Sequence, residues 1–496
     1  MGFSETIFVQ LYHRYSLKPK ALLLYTTRDA KTWQKKEKEY KMNERVDNWL
    51  RDHEEDMIRD LQGCLAIRSL KAGPAPGAPF GEKVHECLTY TLRVADRMGF
   101  VTKDQQGYYG CVDEGEGAEM LGVLAHLDIV PEGTGWDHDP FGKDLVNGKL
   151  YGRGTLDDKG PAIAAIYALK AIREAGIPLK RKVRIILGCD EESGMECMTH
   201  YKANDRIPDL SFSPDGEFPL TNSEKSIVNA IFERKFHSTI TVKAGEVANV
   251  VPGEAIAVVP LPLEEVKAVA ERFGNNSECA LTFKALETGT QIKAIGTIAH
   301  ASMPEDGLNA LQGMFNFLSI LPLEKDDMNV VLTLKEKFRM EYYGQSIGLD
   351  KADDSGRLTL NMGVIRWNEN GFQLTFDLRC PTSLSPEGIK KALCDAMEST
   401  GAGLKSFIFK PGYCLPDDSE IVARLLQVFK ARTGEDLPPK KIGGGTYART
   451  LPNAVSFGPE GYLCESSAHV ANEYITVKQL MFNAQLLADA IVALAG

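Results

Sequence analysis

The sequence predicts an α/β fold in which a mostly parallel central sheet flanked by helices is interrupted by an inserted α+β domain. Three observations carry this. The stretches EMLGVLAHLDIV, RKVRIILGCDEE and DLSFSPDGEF are apolar runs of strand length that end in polar residues, as buried strands do at the sheet edge where open α/β folds bind ligands. A helical pattern lies between the first two. From about residue 225 to 410 the rhythm changes to β-rich segments separated by turns, and helical spacing returns after Pro411.

Residues 1–41 carry basic clusters, end in KKEKEYK and show little apolar periodicity. We read them as an N-terminal extension. From Met42, Val46, Leu50, Met57, Leu61 and Leu65 recur near helical spacing, and Val84, Leu88, Ala95 and Met98 predict a second helix. KGPAIAAIYALKAIREAG has Pro161 near its first turn and Gly176 as a stop, the marks of a helix. Residues 42–224 and 411–496 are thus expected to form one domain and 225–410 another. Within the latter we expect helices at Leu263–Phe273, Asn309–Leu321 and Ser385–Thr400, and a hairpin around Asn370-Gly371. SEIVARLLQVFKART and YITVKQLMFNAQLLADAIVALA close the chain as helices. No repeat of 20–50 residues is found.

Of the 496 residues, 25% are charged and 43% hydrophobic, which excludes a disordered or fibrous chain. The formal charge of −11 removes the attraction to nucleic acid or anionic membranes and leaves a small ligand as the expected partner. Ten cysteines without a Cys-x-x-Cys pair read as buried thiols in a reducing compartment, the cytoplasm. No apolar run approaches the roughly 18 residues that span a bilayer.

The candidate metal ligands are His126, Asp157, Glu192, Asp215 and His469, with Asp128 and Glu191 beside them. Two imidazoles and three carboxylates suit zinc, manganese or cobalt. Five ligands exceed one catalytic ion's usual set, so a dinuclear site with a bridging carboxylate is expected, each ion keeping an open position. Residues two apart on an extended strand point the same way, so the Asp128 carboxylate can accept the second ring N–H of His126. The adjacent Glu191 and Glu192 can divide the work, one as general base and one as ligand. Taken singly, each residue has a plain structural reading; the joint pattern is what points to chemistry.

AHLDIVPEG, GWDHDPF, LYGRGTLDDKGP, GCDEESG, SPDGEFP and SSAHVANE, in this order, resemble the co-catalytic metallopeptidases of the aminoacylase and carboxypeptidase G type, and within them the bacterial dipeptidase V group (PepV-like, Xaa-His dipeptidases). The resemblance runs from Met42 to Gly496. It implies that His126 and Asp215 hold one metal, Glu192 and His469 the other, and that Asp157 bridges and precedes a cis bond to Asp158. Glu191 would be the general base and Asp128 the residue that orients His126. His300 in IAHASMP would stabilise the oxyanion, Asn249 in ANVVPGEA would position substrate, and Arg379 in FDLRCP would clamp a carboxylate. Gly444 and Gly445 in IGGGTYAR would belong to a substrate loop.

The activity implied is hydrolysis of dipeptides with free amino and carboxyl termini by a monomer. It would use two divalent metal ions, zinc first, and a water between them activated by Glu191, with residues 225–410 acting as a lid. Two other readings stay open: an N-acyl amino acid amidohydrolase (deacylase or desuccinylase) of the same superfamily, which would accept an uncharged acyl group, and a non-catalytic metal-binding protein of the same fold. A nucleotide-binding fold is disfavoured, because no G-x-G-x-x-G follows the first strand of a βαβ unit.

Overall fold

The computed structural model describes residues 40–274 and 278–496, so the expected N-terminal extension lies outside the described residues except for its last two. The first sheet matches the predicted fold class. At its centre Lys182–Gly188, Met120–His126, Leu210–Ser213 and Ala454–Ser456 run parallel. Every residue of Met120–His126 is buried, as a strand covered by helices on both faces requires. Antiparallel pairs flank this centre, Val101–Asp104 with Tyr109–Glu114 on one side and Thr221–Glu224 with Tyr413–Cys414 on the other. Lys440–Ile442 adds a further strand alongside Thr221–Glu224.

Helix Lys159–Glu174 packs on the C-terminal helix Val477–Ala495, and both touch Met120–His126. The C-terminal helix is long and apolar enough to cross a membrane by length and composition, but 67% of that window is buried inside the fold. The first predicted helix is broken, into Glu44–Asp52 and Glu54–Leu65. At the break the His53 ring stacks on Trp49 at 3.9 Å, and both its Nδ1 (2.8 Å) and its backbone N–H (3.2 Å) reach the Trp49 carbonyl oxygen. The apolar face survives, since Val46, Leu50, Met57, Leu61 and Leu65 are all buried.

The second sheet has eight strands, all antiparallel, ordered Ala280–Leu286, Gly289–Ile295, Glu254–Val259, Thr241–Ala244, Thr359–Asn368, Gly371–Cys380, Ser226–Lys235 and Gly403–Lys410. The hairpin forms with Asn368 opposite Gly371, so Glu369 and Asn370 make the turn. Gly371 has φ +125°, and a Cβ there would lie 2.0 Å from the Arg234 carbonyl oxygen, which excludes any side chain. Helices Leu263–Phe273, Ala310–Leu318 and Pro386–Met397 fall where expected. Helix Lys325–Phe338 was not expected. Its run VVLTL is rich in β-branched residues and reads locally as strand, but Val330, Val331, Leu334 and Phe338 are buried in this sheet's apolar core.

A small third sheet joins Tyr474–Thr476, Lys149–Tyr151 and Leu145–Val146. It fastens the chain just after His469 to the chain just before Asp157. None of the ten cysteines forms a disulfide, and seven of them are buried.

Candidate metal centre

His126 is the last residue of its strand, opposite Gly188, and is fully buried. Its Nδ1 lies 3.0 Å from the backbone carbonyl oxygen of Asp128, and its Nε2 lies 2.9 Å from Asp157 Oδ1. With Nδ1–H donating to the carbonyl, Nε2 is left as the ligating atom. The expected partner, the Asp128 carboxylate, is 3.6 Å away. It accepts instead the backbone N–H groups of Glu191 (3.0 Å) and Glu192 (3.1 Å). The reason is local: the chain turns after His126, so two orphan donors of the neighbouring loop reach the carboxylate first. Asp128 thus holds one loop with its carbonyl and another with its side chain.

Asp157 is the penultimate residue of the stretch YGRGTLDD and is joined to the last, Asp158, by a cis peptide bond. Fully buried Glu473 organises this stretch: its Oε1 accepts the N–H groups of Gly154 (3.1 Å), Leu156 (2.9 Å) and Asp157 (3.3 Å), and its Oε2 accepts from Arg153 at 2.6 Å. Burial and the charge of Asp157 push the Glu473 carboxyl up, yet four donors face it, the surroundings of an ionised carboxylate. Asp158 Oδ2 accepts the His126 N–H at 3.0 Å, while its Oδ1 is buried without a partner. Asp190, also buried, is held by Lys71 at 2.6 Å and by the N–H of Glu196 at 3.0 Å, which closes the loop carrying Glu191 and Glu192.

His469 sits in a left-handed conformation with φ +62° and turns its Nε2 to within 2.8 Å of Asp157 Oδ2 and 3.1 Å of Glu192 Oε1. Two overlapping donor groups result. Ligand atoms of His126, Asp157 and Asp215 lie within 4.8 Å of one another, and so do those of Asp157, Glu192 and His469. Asp157 belongs to both and presents one oxygen to each imidazole.

The electrostatics fit divalent cations. Burial, reinforced by neighbouring carboxylates, pushes Glu191 and Asp215 well above the ordinary carboxylate range. Asp157 and Glu192 push the His469 imidazole up to about 11. For Asp157, burial is outweighed by the two imidazoles, which hold it low. Four carboxylates gathered around two imidazoles attract positive charge, and nitrogen and oxygen donors without thiolate suit zinc, manganese or cobalt.

The remaining candidates form a second group. Ser302 donates its N–H to His300 Nδ1 at 3.2 Å and its hydroxyl lies 2.7 Å from the same atom, so the ring proton sits on Nε2, in an exposed ring. Partial burial and the charge of Arg379 hold this imidazole below the usual histidine range. Asn249 lies alongside, its carbonyl accepting the Ala301 N–H at 2.9 Å. Arg379 is only 5% exposed and already engaged: Nε and Nη2 donate to Asp377 at 2.8 and 3.3 Å, and Nη1 to the Gly443 carbonyl at 2.8 Å. A Cβ at Gly443 would lie 2.6 Å from Ser302 Cβ, and one at Gly445 2.7 Å from Arg449 Cζ, so the glycine loop is pressed between side chains. Arg449 bonds the Gly444 carbonyl at 3.2 Å and buried Glu224 at 2.8 Å.

Among the described residues no hydrogen bond or ion pair joins this group to the metal-ligand group. The link is Tyr447, at the end of the glycine loop, whose buried ring meets His126 edge-on with centroids 5.9 Å apart. Sequence reasoning missed Tyr447, Glu473, Arg153 and Glu224. For Glu473 and Arg153 a signal existed: both lie inside the motif stretches, and both are charged residues in otherwise small or apolar surroundings.

Strands that deliver two overlapping sets of nitrogen and oxygen donors to the end of a parallel sheet define a metal-dependent hydrolase. The chain belongs to peptidase family M20/M25/M40, whose profile matches residues 122–493, and it is a peptidase. It is 36% identical over 459 residues to the "Putative dipeptidase YtjP" of Bacillus subtilis (strain 168), covering 89% of this chain and 97% of the relative. It is 34% identical over 452 residues to "Putative dipeptidase SSP1012" of Staphylococcus saprophyticus, covering 88% and 96%. Two solved structures share the fold: human carnosine dipeptidase 1, with a TM-score of 0.54 at 15% identity over 91% of this chain and 98% of that one, and the aminoacylhistidine dipeptidase of Vibrio alginolyticus, with a TM-score of 0.54 at 17% identity over 88% and 95%.

Proposed function

We propose that this peptidase hydrolyses dipeptides with free amino and carboxyl termini. Two divalent cations, zinc first and manganese or cobalt as alternatives, would be held by His126, Asp157 and Asp215 and by Asp157, Glu192 and His469. The observation that supports this most is the shared carboxylate, one oxygen of Asp157 facing each imidazole. The relatives and the solved structures are themselves named dipeptidases.

When bound, such cations polarise a carbonyl and lower the pKa of water from 15.7 to roughly 7. The chain's own residues do the rest. Glu191, kept protonatable by burial, accepts the proton of the attacking water on its carboxylate and returns it to the leaving amine. Asp128 holds Glu191 in place through its backbone N–H. His300 offers Nε2–H to the developing oxyanion, a donor whose loss typically costs about 100- to 1000-fold in turnover. Arg379 has two N–H groups beyond those engaged by Asp377 and Gly443, enough to meet a terminal carboxylate. Asn249, Gly444 and Gly445 complete the substrate's bed.

Residues 42–224 and 411–496 are the catalytic domain and 225–410 the lid in this reading, which rests on the two separate sheets. Closure would bring His300 over the metal centre and expel water. His300 lies in the same chain as the ligands, which suits a monomer, and ten cysteines without a disulfide suit the cytoplasm.

The test is a dipeptide panel with N-acylated and C-amidated controls, run on metal-stripped protein reloaded with each cation. Hydrolysis should require metal and should strongly favour substrates with both termini free. Glu191→Gln should retain its metal and lose about 100- to 10,000-fold in kcat; ordinary turnover in that variant would remove Glu191 from the role of base.

A further inference from the structure

Resting on the dipeptidase reading, we propose that Glu460 binds the substrate's α-ammonium group and so makes a free amino terminus the recognised feature of the substrate. Glu460 is fastened to the chain just after Asp215. Its backbone N–H donates to the Gly216 carbonyl at 2.9 Å, and it forms a parallel bridge with Glu217. Gly216 is the residue after the metal-ligand candidate Asp215, and nine residues beyond Glu460 the same loop presents His469 to Asp157 and Glu192. Glu460 therefore stands at the rim between the two ends of the donor set.

Glu460 has no other evident employment. It belongs to neither donor group. Its neighbour Glu217 is paired with Lys440, and Glu132 with Arg68. Among the described residues, the hydrogen-bond partner of the Glu460 side chain is the Ser466 hydroxyl, which donates to Oε1 at 2.6 Å, and no Lys, Arg or His nitrogen lies within 4.0 Å of it. A partly buried carboxylate beside other carboxylates, with one neutral donor, is unfavourable until a cation arrives. The cation a dipeptide brings is its ammonium, one carbon from the scissile carbonyl. The carboxylates of the donor set are committed to metal and Glu191 must carry a proton, which leaves Glu460 to answer that charge. An acyl group in the same place would leave Glu460 uncompensated, so this residue also separates the dipeptide from the acyl amino acid as substrate class.

The experiment uses the metal-loaded full chain, one dipeptide and its N-acetyl derivative, with metal content measured alongside. Glu460→Gln should raise KM for the free dipeptide about 10- to 100-fold with kcat little changed, the worth of one charge-assisted bond. It should leave the acetylated substrate unaffected and retain the wild-type metal content, while Glu460→Asp recovers part of the loss. Ser466→Ala removes only the loop bond and should keep the wild-type ratio of free to acetylated substrate. A Glu460→Gln variant with the wild-type ratio overturns the proposal alone, as does loss of metal from it, or a Ser466→Ala variant that reproduces its effect. Wild-type protein with no preference for the free amine overturns the dipeptidase reading, and this proposal with it.

Discussion

Replacing Glu473 should damage a site whose ligating atoms it never touches. Glu473 is fully buried and gathers four donors, three from the backbone of the Asp157 stretch and one from Arg153, itself only 1% exposed. In Glu473→Ala, Arg153 keeps the Glu132 carbonyl at 3.3 Å and the Trp136 ring at 5.4 Å, but no carboxylate. Leaving a buried charge unpaired costs about 3–5 kcal/mol, a large part of a typical domain's stability. Glu473→Gln is the sharper probe. Its amide oxygen can still accept the three N–H groups, but its NH2 meets the Arg153 guanidinium donor to donor, for a loss of about 1–3 kcal/mol. Because Asp157 hangs from the same backbone, metal affinity should fall about 10- to 100-fold, as it does when outer partners of a metal site are removed. Urea denaturation of the metal-stripped variant and metal titration of the folded one measure the two effects separately. An unchanged urea midpoint together with wild-type metal affinity would show that Glu473 does not organise this loop.

Three further predictions follow from other parts of the fold. Arg184 pairs with Asp113 at 2.7 Å and Asp205 at 3.1 Å; burial opposes their ionisation, but Arg184 with Lys182, Lys103 and Tyr109 outweighs it and holds both carboxyls below the usual aspartate range. Carboxyls with depressed folded-state pKa stabilise above their unfolded values and lose this as pH falls through the folded values, so Arg184→Met should cost about 3 kcal/mol at pH 7 and clearly less in acid; denaturant titrations at both pH values would contradict this if the penalty were constant. Chelation should lower the melting temperature and any fitting cation should restore it, by about 2.7 kcal/mol for a site at 100 times its Kd; a melting curve indifferent to chelator would exclude a folded-state metal site. In Gly188→Ala the new Cβ would lie 1.8 Å from Tyr447 Oη, so we expect a loss of about 1–3 kcal/mol from overpacking and weaker metal binding as Tyr447 is driven against His126; wild-type stability in a denaturant titration would show that the ring has room to move.

The legible parts of the fold were those that local chemistry decides alone. Met120–His126 is a strand because an unbroken apolar run must be covered on both faces, and helix Lys159–Glu174 is set by its alanines, its early proline and Gly176. Helix Lys325–Phe338 was missed because its β-branched centre prefers strand in isolation, and only the apolar face of the second sheet overrules that preference.

The sequence alone determined which atoms could hold metal: two imidazoles and three carboxylates at the ends of apolar strands or in Gly-rich connections, an identity carried by residue type and spacing. Only the tertiary structure decided how they are held. Asp128 turns its carboxylate to Glu191 and Glu192 and leaves its carbonyl to His126, Glu473 reaches over 300 positions along the chain to the Asp157 loop, and Tyr447 comes edge-on to His126. Ligand chemistry is a property of single side chains, but a buried polar group takes whichever partner the fold brings within hydrogen-bond reach, and no local pattern encodes that distance.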